Sequence, residues 1–190
     1  NAMGTLFVAK RRFDPSVGES WKRYIVWSGL TQLREVISLD AILCPTLPEE
    51  LTARDWGHNV HADYQTSYFR SLEYLQARVA GEGDVNLLAV LQNPSARDIE
   101  SVQLPGFRFA GFDLLDVCGD VSALTNCGGF DEVFAKGEIS DRGLLGDLPR
   151  AYEIQRGLRA AYPSERHAEC DVWAIWRMEN SRERATPFSD

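Results

Sequence analysis

The sequence predicts an α+β fold in which a mixed or antiparallel sheet of about five strands is covered by about three helices. Apolar runs typical of strands and apolar stripes at helical spacing follow one another in the order ββααβββαβ. That order is too irregular for a doubly wound parallel sheet and too helical for a sandwich. The 190 residues are 44% hydrophobic, enough for one packed core, so we expect a single domain over residues 3–178.

Short apolar runs predict the strands. Residues 170–178 are apolar at both even and odd positions, which is typical of a central strand buried on two faces. In the run 107–117 the apolar side changes at Gly111, as it does at a β-bulge. The other predicted strands cover 5–9, 23–27, 85–91 and, as a short piece, 121–125.

Three helices are expected from apolar spacing and capping residues. One covers about 30–40. The second covers about 64–79, with Asp63 as its N-cap and Gly81 beyond its end. The third follows Asp147, with Ala151, Ile154 and Leu158 on one face. Between the first two, residues 44–61 contain two prolines and no sustained period, so we expect a long loop of the kind that often carries function.

Composition narrows the class of protein. The chain has 20 Lys and Arg against 28 Asp and Glu, a net charge of −8, which disfavours nucleic acid and favours a basic protein as partner. No run approaches the ~18 apolar residues of a membrane span. We therefore expect a soluble, cytoplasmic protein that does not bind membranes. Asn1 and Ala2 precede Met3 and are interpreted as an expression-tag remnant, and 179–190 as a flexible tail.

The four cysteines form no CxxC pair, which argues against a zinc ribbon or a thioredoxin-like site. Cys127 stands between Asn126 and two glycines. In one interpretation it is a nucleophile activated by a distant histidine, His58, His61 or His167, with Asn126 binding a substrate carbonyl. In the other it is a small apolar residue at a glycine turn.

The loop before the second helix holds the candidate binding residues Trp56, His58, His61 and Asp63. Two imidazoles and a carboxylate suit zinc or iron, but the histidines are three residues apart, whereas the recurring zinc signature places them four apart on a helix. Asp63 also has a structural role as a helix cap. We therefore expect no metal and no cofactor, and we interpret an exposed Trp56 as a contact for a partner.

Carboxylates also cluster around the last strand. Glu165, His167, Glu169 and Asp171 lead into it, and this group would serve general acid–base chemistry if it faced a cleft. The solvated entry to a strand is the simpler interpretation. Asp113 and Asp116 on the preceding strand are candidates to approach it as a carboxylate pair.

These observations favour a non-enzymatic protein-binding module that blocks its partner by steric occlusion. In size and charge the chain resembles small acidic immunity or antitoxin proteins, which cover the site of a toxin. That resemblance implies a basic partner and electrostatically assisted encounter. The alternative from another class is a cytoplasmic Cys/His hydrolase or transferase that uses Cys127.

Overall fold

A computed structural model describes residues 4–12, 36–59, 68–119, 121–125, 130 and 132–179. These residues form a five-stranded antiparallel sheet with four α-helices, so the predicted α+β class is confirmed. Two 3₁₀ turns cover Lys136–Glu138 and Arg166–Ala168. In chain order the elements are β1 (Leu6–Arg11), β2 (Thr46–Leu47), α1 (Ala53–Trp56), α2 (Leu72–Arg78), β3 (Val85–Gln92), α3 (Ala96–Ser101), β4 (Phe107–Asp116), α4 (Leu148–Ala161) and β5 (Cys170–Met178).

The strand order is β2-β1-β3-β5-β4, which places β5 between two long neighbours. The prediction of a central last strand is confirmed. Its alternation is confirmed as well: Val172 and Ala174 face one core cluster, while Trp173 and Ile175 face the other. Both faces of β5 are therefore covered, as a strand apolar on both sides requires.

Helix α4 covers one face of the sheet. The Asp147 side chain accepts a hydrogen bond from the backbone N–H of Arg150 at 2.8 Å, the predicted N-cap. Ala151, Ile154 and Leu158 are fully buried against the side chains of β4 and β5. At 14 residues α4 is the longest described helix, and none of the described helices combines the length and apolar character needed to cross a bilayer.

The opposite face is covered partly by residues 36–40, which form no regular secondary structure. Residues 36–40 were predicted as the end of a helix and are not helical, while 30–35 lie outside the described residues. The N–H of Ile37 donates to the carbonyl of Arg142 at 2.9 Å, and the N–H of Leu39 donates to Asp113 at 2.8 Å. These backbone N–H groups donate to residues distant in sequence, whereas in a helix they would donate to carbonyl groups four residues earlier.

The second predicted helix begins later than expected. Phe69 exchanges two backbone hydrogen bonds with Phe7 of β1, each 2.8 Å long, so the chain is extended there. Ser71 then caps α2 by accepting the N–H of Tyr74 at 3.1 Å. Residues 68–71 are therefore not helical as predicted, because pairing with β1 overrides the helical spacing, while 64–67 lie outside the described residues. The predicted cap, Asp63, lies outside the described residues as well.

Other predictions have mixed outcomes. The loop predicted over 44–61 contains β2 and α1 within its described part. Instead of a strand at 121–125 there is one bridge, between Leu115 and Ser122, followed by a turn. Helix α3 was missed, although Ser95 and Asp98 form a capping box after Pro94. The predicted strand 23–27 and the tail from 180 lie outside the described residues.

Candidate functional site

Trp56, at the end of α1, is the most exposed large apolar side chain among the described residues. Its exposed fraction is 68%, against 63% for Ile42 and 38% for Phe109. Trp173 and Trp176, both on β5, are by contrast buried. Trp21 and Trp27 lie outside the described residues. Trp56 is thus an apolar surface feature that core packing does not explain.

Asp55, next to Trp56, fixes the position of α1. Its carboxylate is fully buried and accepts the N–H and hydroxyl of Thr52, at 2.7 and 2.9 Å. It also accepts the Tyr74 hydroxyl at 2.7 Å and Nε of Arg78 at 3.0 Å. Burial alone would raise the pKa of Asp55, but these hydrogen bonds outweigh it and hold the pKa well below its usual range. A charged, fully bonded Asp55 therefore anchors α1 to α2.

His58 is exposed and follows Trp56 by two residues. Its ring stacks on Tyr74 with centroids 3.8 Å apart and planes inclined by 15°. Beside this stack a pocket of about 400 Å³ is lined by Thr52, Arg54, Tyr74, Ala77 and Arg78. We call this pocket, together with Trp56 and His58, the Trp56 surface. The structure thus brings one of the predicted binding residues, His58, onto a tyrosine that lines the pocket together with two arginines, and Trp56 lies on the same helix as Arg54.

The other two predicted binding residues, His61 and Asp63, lie outside the described residues. In the described ranges no group of three His, Cys, Asp or Glu side chains is arranged to hold a metal ion. His58 instead packs on an aromatic ring. The sequence analysis did not identify three residues of this site, Tyr74, Arg54 and Arg78. Nothing in the sequence marks them apart from their places on α1 and α2.

A second group forms where β4 ends. Nδ1 of His167 lies 3.0 Å from Oδ2 of Asp116. The Asp116 side chain is fully buried, whereas that of His167 is 30% exposed. Oδ1 of Asp116 also accepts the N–H of Val121 at 3.3 Å. A carboxylate on Nδ1 orients the ring and leaves Nε2 as the nitrogen for an outside group, the arrangement of a general base.

The predicted acidic group around the last strand does not converge on one point. Asp116 contacts His167, but Asp113 faces Ser38 and Leu39 instead. Asp171 accepts the amide groups of Gln92 and Asn93, each at 2.8 Å. A carboxylate pair of Asp113 and Asp116 facing this group is therefore not formed. Two members of the predicted acidic group line a cleft of about 520 Å³. The described residues of this cleft are Arg159, Tyr162, Pro163, Ser164, Glu165, Arg166 and Glu169.

Cys127 and Asn126 lie outside the described residues, and the chain on both sides of them is anchored. Oγ1 of Thr125 donates to Oδ2 of Asp40 at 2.6 Å. Phe130 is buried and packs edge-on against Tyr162, with ring centroids 5.1 Å apart. Both flanks of the glycine segment thus belong to the folded core.

The described cysteines differ in exposure. Cys44 and Cys170 are buried, and burial raises the pKa of each thiol to about 12. Cys118 is half-buried. Since a thiolate is the nucleophile, Cys44 and Cys170 are structural at neutral pH.

No protein-family model, curated protein or solved structure matches this chain. Its function is therefore argued from the geometry of these two groups of residues.

Proposed function

We propose that this chain is a protein-binding module that acts by covering part of its partner, in the manner of immunity or antitoxin proteins. The observation that carries the proposal is the 68% exposure of Trp56 on a helix fixed by the bonded Asp55. Exposed tryptophan is uncommon on surfaces that contact only water, whereas tryptophan is enriched among the residues that dominate binding energy.

The setting of Trp56 supports a role in affinity. Asp55 accepts hydrogen bonds from Thr52, Tyr74 and Arg78, so the turn that carries the indole is tied to α2 before any partner arrives. A contact surface that is already ordered loses less conformational entropy when it binds. The net charge of −8 would speed encounter with a basic partner.

Replacing Trp56 tests the proposal. We expect Trp56→Ala to weaken binding of the partner by about 30-fold, because a central tryptophan typically contributes about 2 kcal/mol or more. Ile42→Ala is the matched control, since Ile42 is 63% exposed and lies outside the Trp56 surface. The measurement is affinity capture from an extract of the source cell, followed by titration of the purified partner against both variants.

Equal binding by wild type, Trp56→Ala and Ile42→Ala would contradict the proposal. Thermal melts of both variants accompany the titration. Because both side chains are largely exposed, we expect each variant to unfold within about 0.5 kcal/mol of wild type.

A Cys/His hydrolase or transferase is a second candidate, and the Asp116–His167 pair is the observation that favours it. A histidine oriented through Nδ1 by a buried carboxylate is a suitable base for a thiol nucleophile. Cys44 and Cys170 are excluded as nucleophiles because they are buried with a raised pKa, and of the two cysteines that remain, Cys127 and Cys118, the candidate is Cys127, which stands beside two glycines.

Alkylation of each cysteine separates the two candidates. For the enzyme, iodoacetamide at about pH 7 should modify Cys127 about tenfold faster than Cys118, and His167→Gln should abolish the difference, since an activating base raises the thiolate fraction. Cys44 and Cys170 should stay unmodified in the folded protein. Peptide mass spectrometry measures all four rates. Equal rates at Cys127 and Cys118, unchanged by His167→Gln, would exclude the enzyme.

A further inference from the structure

The described lining of the pocket has a charge opposite to that of the chain as a whole. Among the described residues it contains two arginines, Arg54 and Arg78, and no acidic residue. The nearest carboxylate along α1, that of Asp55, is fully buried beneath it. A net charge of −8 is thus combined with a local site whose charged lining is cationic.

The carboxylate of Asp55 is already satisfied by its own neighbours. Its four donors come from Thr52, Tyr74 and Arg78, so it has little capacity to bind a further cation. It therefore compensates one positive charge from below and leaves the second, on Arg54, unopposed at the lining. Within the described residues no ion pair joins Arg54 to an acidic side chain.

Arg78 retains donors after its structural bonds are made. Its Nε donates to Asp55, and Nη2 donates to the carbonyl of Glu50 at 3.1 Å. A guanidinium has five N–H groups, so three remain, including both on Nη1. The Tyr74 and Thr52 hydroxyls already donate hydrogen bonds to Asp55, so within the described lining the free side-chain donors are those of the two arginines.

Part of the remaining described lining is apolar. Ala77 and the ring of Tyr74 form part of the wall, and the indole of Trp56 lies on the helix that carries Arg54. Guanidinium groups bind carboxylates through two parallel N–H bonds, and aromatic rings beside them suit an apolar neighbour of that carboxylate. Charge complementarity thus identifies the occupant as an acidic group with an apolar residue next to it.

We propose that the pocket binds a Glu or Asp side chain from an acidic segment of the partner protein, with Arg54 and Arg78 as its ligands and the ring of Tyr74 against the adjacent apolar residue. This inference rests on the proposed function and adds the chemistry of the contact. An acidic segment can belong to a partner that is basic overall. Long-range attraction depends on the net charges of the two proteins, whereas at contact the charges within a Debye length of about 8 Å dominate.

The test uses two short peptides on the whole protein and needs no partner. The acidic probe is acetyl-Ala-Glu-Leu-Glu-Ala-amide, and its neutral match has Gln in place of both Glu residues. Chemical shifts of the Trp56 indole N–H, assigned with Trp56→Phe, report binding. We expect a saturable shift with the acidic peptide and a response at least about fivefold weaker with the neutral one, as expected for loss of a charge-assisted pair.

Arg54→Gln provides the matched variant. It removes one pocket cation without touching the bonds of Asp55, and we expect it to weaken binding of the acidic peptide about fivefold. Arg97→Gln makes the same change on the exposed face of α3 and should alter binding less than about twofold. Arg78 is left in place, because its bond to Asp55 makes it part of the fold.

Three results would overturn the inference: equal binding of the neutral peptide, no difference between the Arg54→Gln and Arg97→Gln variants, or tighter binding of inorganic phosphate than of the acidic peptide. Each would leave the role of Trp56 in binding a partner intact. If instead Trp56→Ala retains the natural partner while the peptides behave as expected, the pocket binds carboxylates but is not the interface, and the proposed function fails separately.

Discussion

We expect the Asp113→Asn variant to lose about 3 kcal/mol of stability at neutral pH, because both oxygens of this buried carboxylate accept a backbone N–H. Oδ2 accepts the N–H of Leu39 at 2.8 Å, and Oδ1 accepts the N–H of Leu114 at 2.8 Å. Whichever way an Asn amide is turned, its NH₂ group faces one of these two donors. One buried N–H group therefore loses its acceptor.

The side chain of Asp113 also joins three separate parts of the chain. Its oxygens accept the hydroxyls of Ser38, at 2.9 Å, and of Ser122. Ser38 belongs to the buried, irregular segment 36–40, and Ser122 begins the turn that leads to Thr125. Loss of this carboxylate should loosen both segments as well as β4.

Chemical denaturation and a thermal melt measure this loss. For a chain of this size, about 3 kcal/mol corresponds to a fall in Tm of roughly 6–12 °C. Asp141→Asn is the matched control, because Asp141 is exposed, and it should change stability by less than about 0.5 kcal/mol. An Asp113→Asn variant as stable as Asp141→Asn would show that the network contributes little.

The pH dependence gives a second readout. Burial raises the pKa of Asp113, although hydrogen bonds from Ser122, Leu39 and Ser38 oppose the rise. The folded chain therefore holds this proton to higher pH than the unfolded chain does. The resulting stabilisation is present below about pH 4 and is lost as pH rises through the folded pKa. Asn does not titrate, so the difference between wild type and variant should shrink with increasing pH.

Asp113 also shows where sequence reasoning reaches its limit. The alternation of residues 107–117 was sufficient to predict β4, because a strand records its two faces in its own sequence. It was not sufficient to identify the partners of Asp113, since Ser38 lies 75 residues away. Position on the strand was predictable, but the choice between a carboxylate pair with Asp116 and a buried network was not.

β5 and the start of α2 show the same difference between what a local pattern predicts and what depends on distant parts of the chain. Residues 170–178 are apolar at every position that contacts either core, so their burial was predictable. Tyr68 had the correct spacing for a helix face, yet its ring stacks on Trp173 and its neighbour Phe69 pairs with Phe7. Helical spacing is a local signal, and pairing with a strand about 60 residues earlier in sequence is not contained in it.

The candidate site was predictable only in part, for a related reason. The loop predicted over 44–61 indicated Trp56 and His58, and both are exposed. Tyr74 lies on the following helix, and the sequence contains no pattern that brings it to His58. Likewise His167 and Asp116 were each noticed, but their contact spans 51 residues and depends on the pairing of β4 with β5.

Gly111→Ala should be destabilising by about 3 kcal/mol or more, because this glycine has both an unusual backbone angle and no room for a side chain. Its φ is +143°, a value that residues with a Cβ rarely adopt. A Cβ here would lie 2.7 Å from the carbonyl oxygen of Leu145 and 2.8 Å from Cβ of Leu144. The first contact is with backbone and cannot be relieved by a side-chain rotation.

The position of Gly111 explains why the clash would spread. The bulge that the sequence predicted lies between Phe109 and Gly111, and directly after it Phe112 exchanges two hydrogen bonds with Leu145, at 2.8 and 3.0 Å. Moving Leu145 away from a new Cβ would break this pairing, which covers the outer edge of β4. The variant therefore either holds a strained bulge or exposes a sheet edge.

Alanine substitutions at two other glycines distinguish the effect of backbone strain from the effect of steric crowding. Gly106 has φ +80°, but no atom lies within 4 Å of the place that an alanine Cβ would take, so Gly106→Ala should show strain alone, about 1 kcal/mol. Gly137 has open space and no positive φ, so Gly137→Ala should be close to neutral. Urea unfolding should rank the loss at Gly111 above that at Gly106, and the loss at Gly106 above that at Gly137. If Gly111→Ala were no worse than Gly106→Ala, the chain at Leu144 and Leu145 would have to yield to a methyl group at little cost, and the edge pairing at Phe112 would not be a determinant of stability.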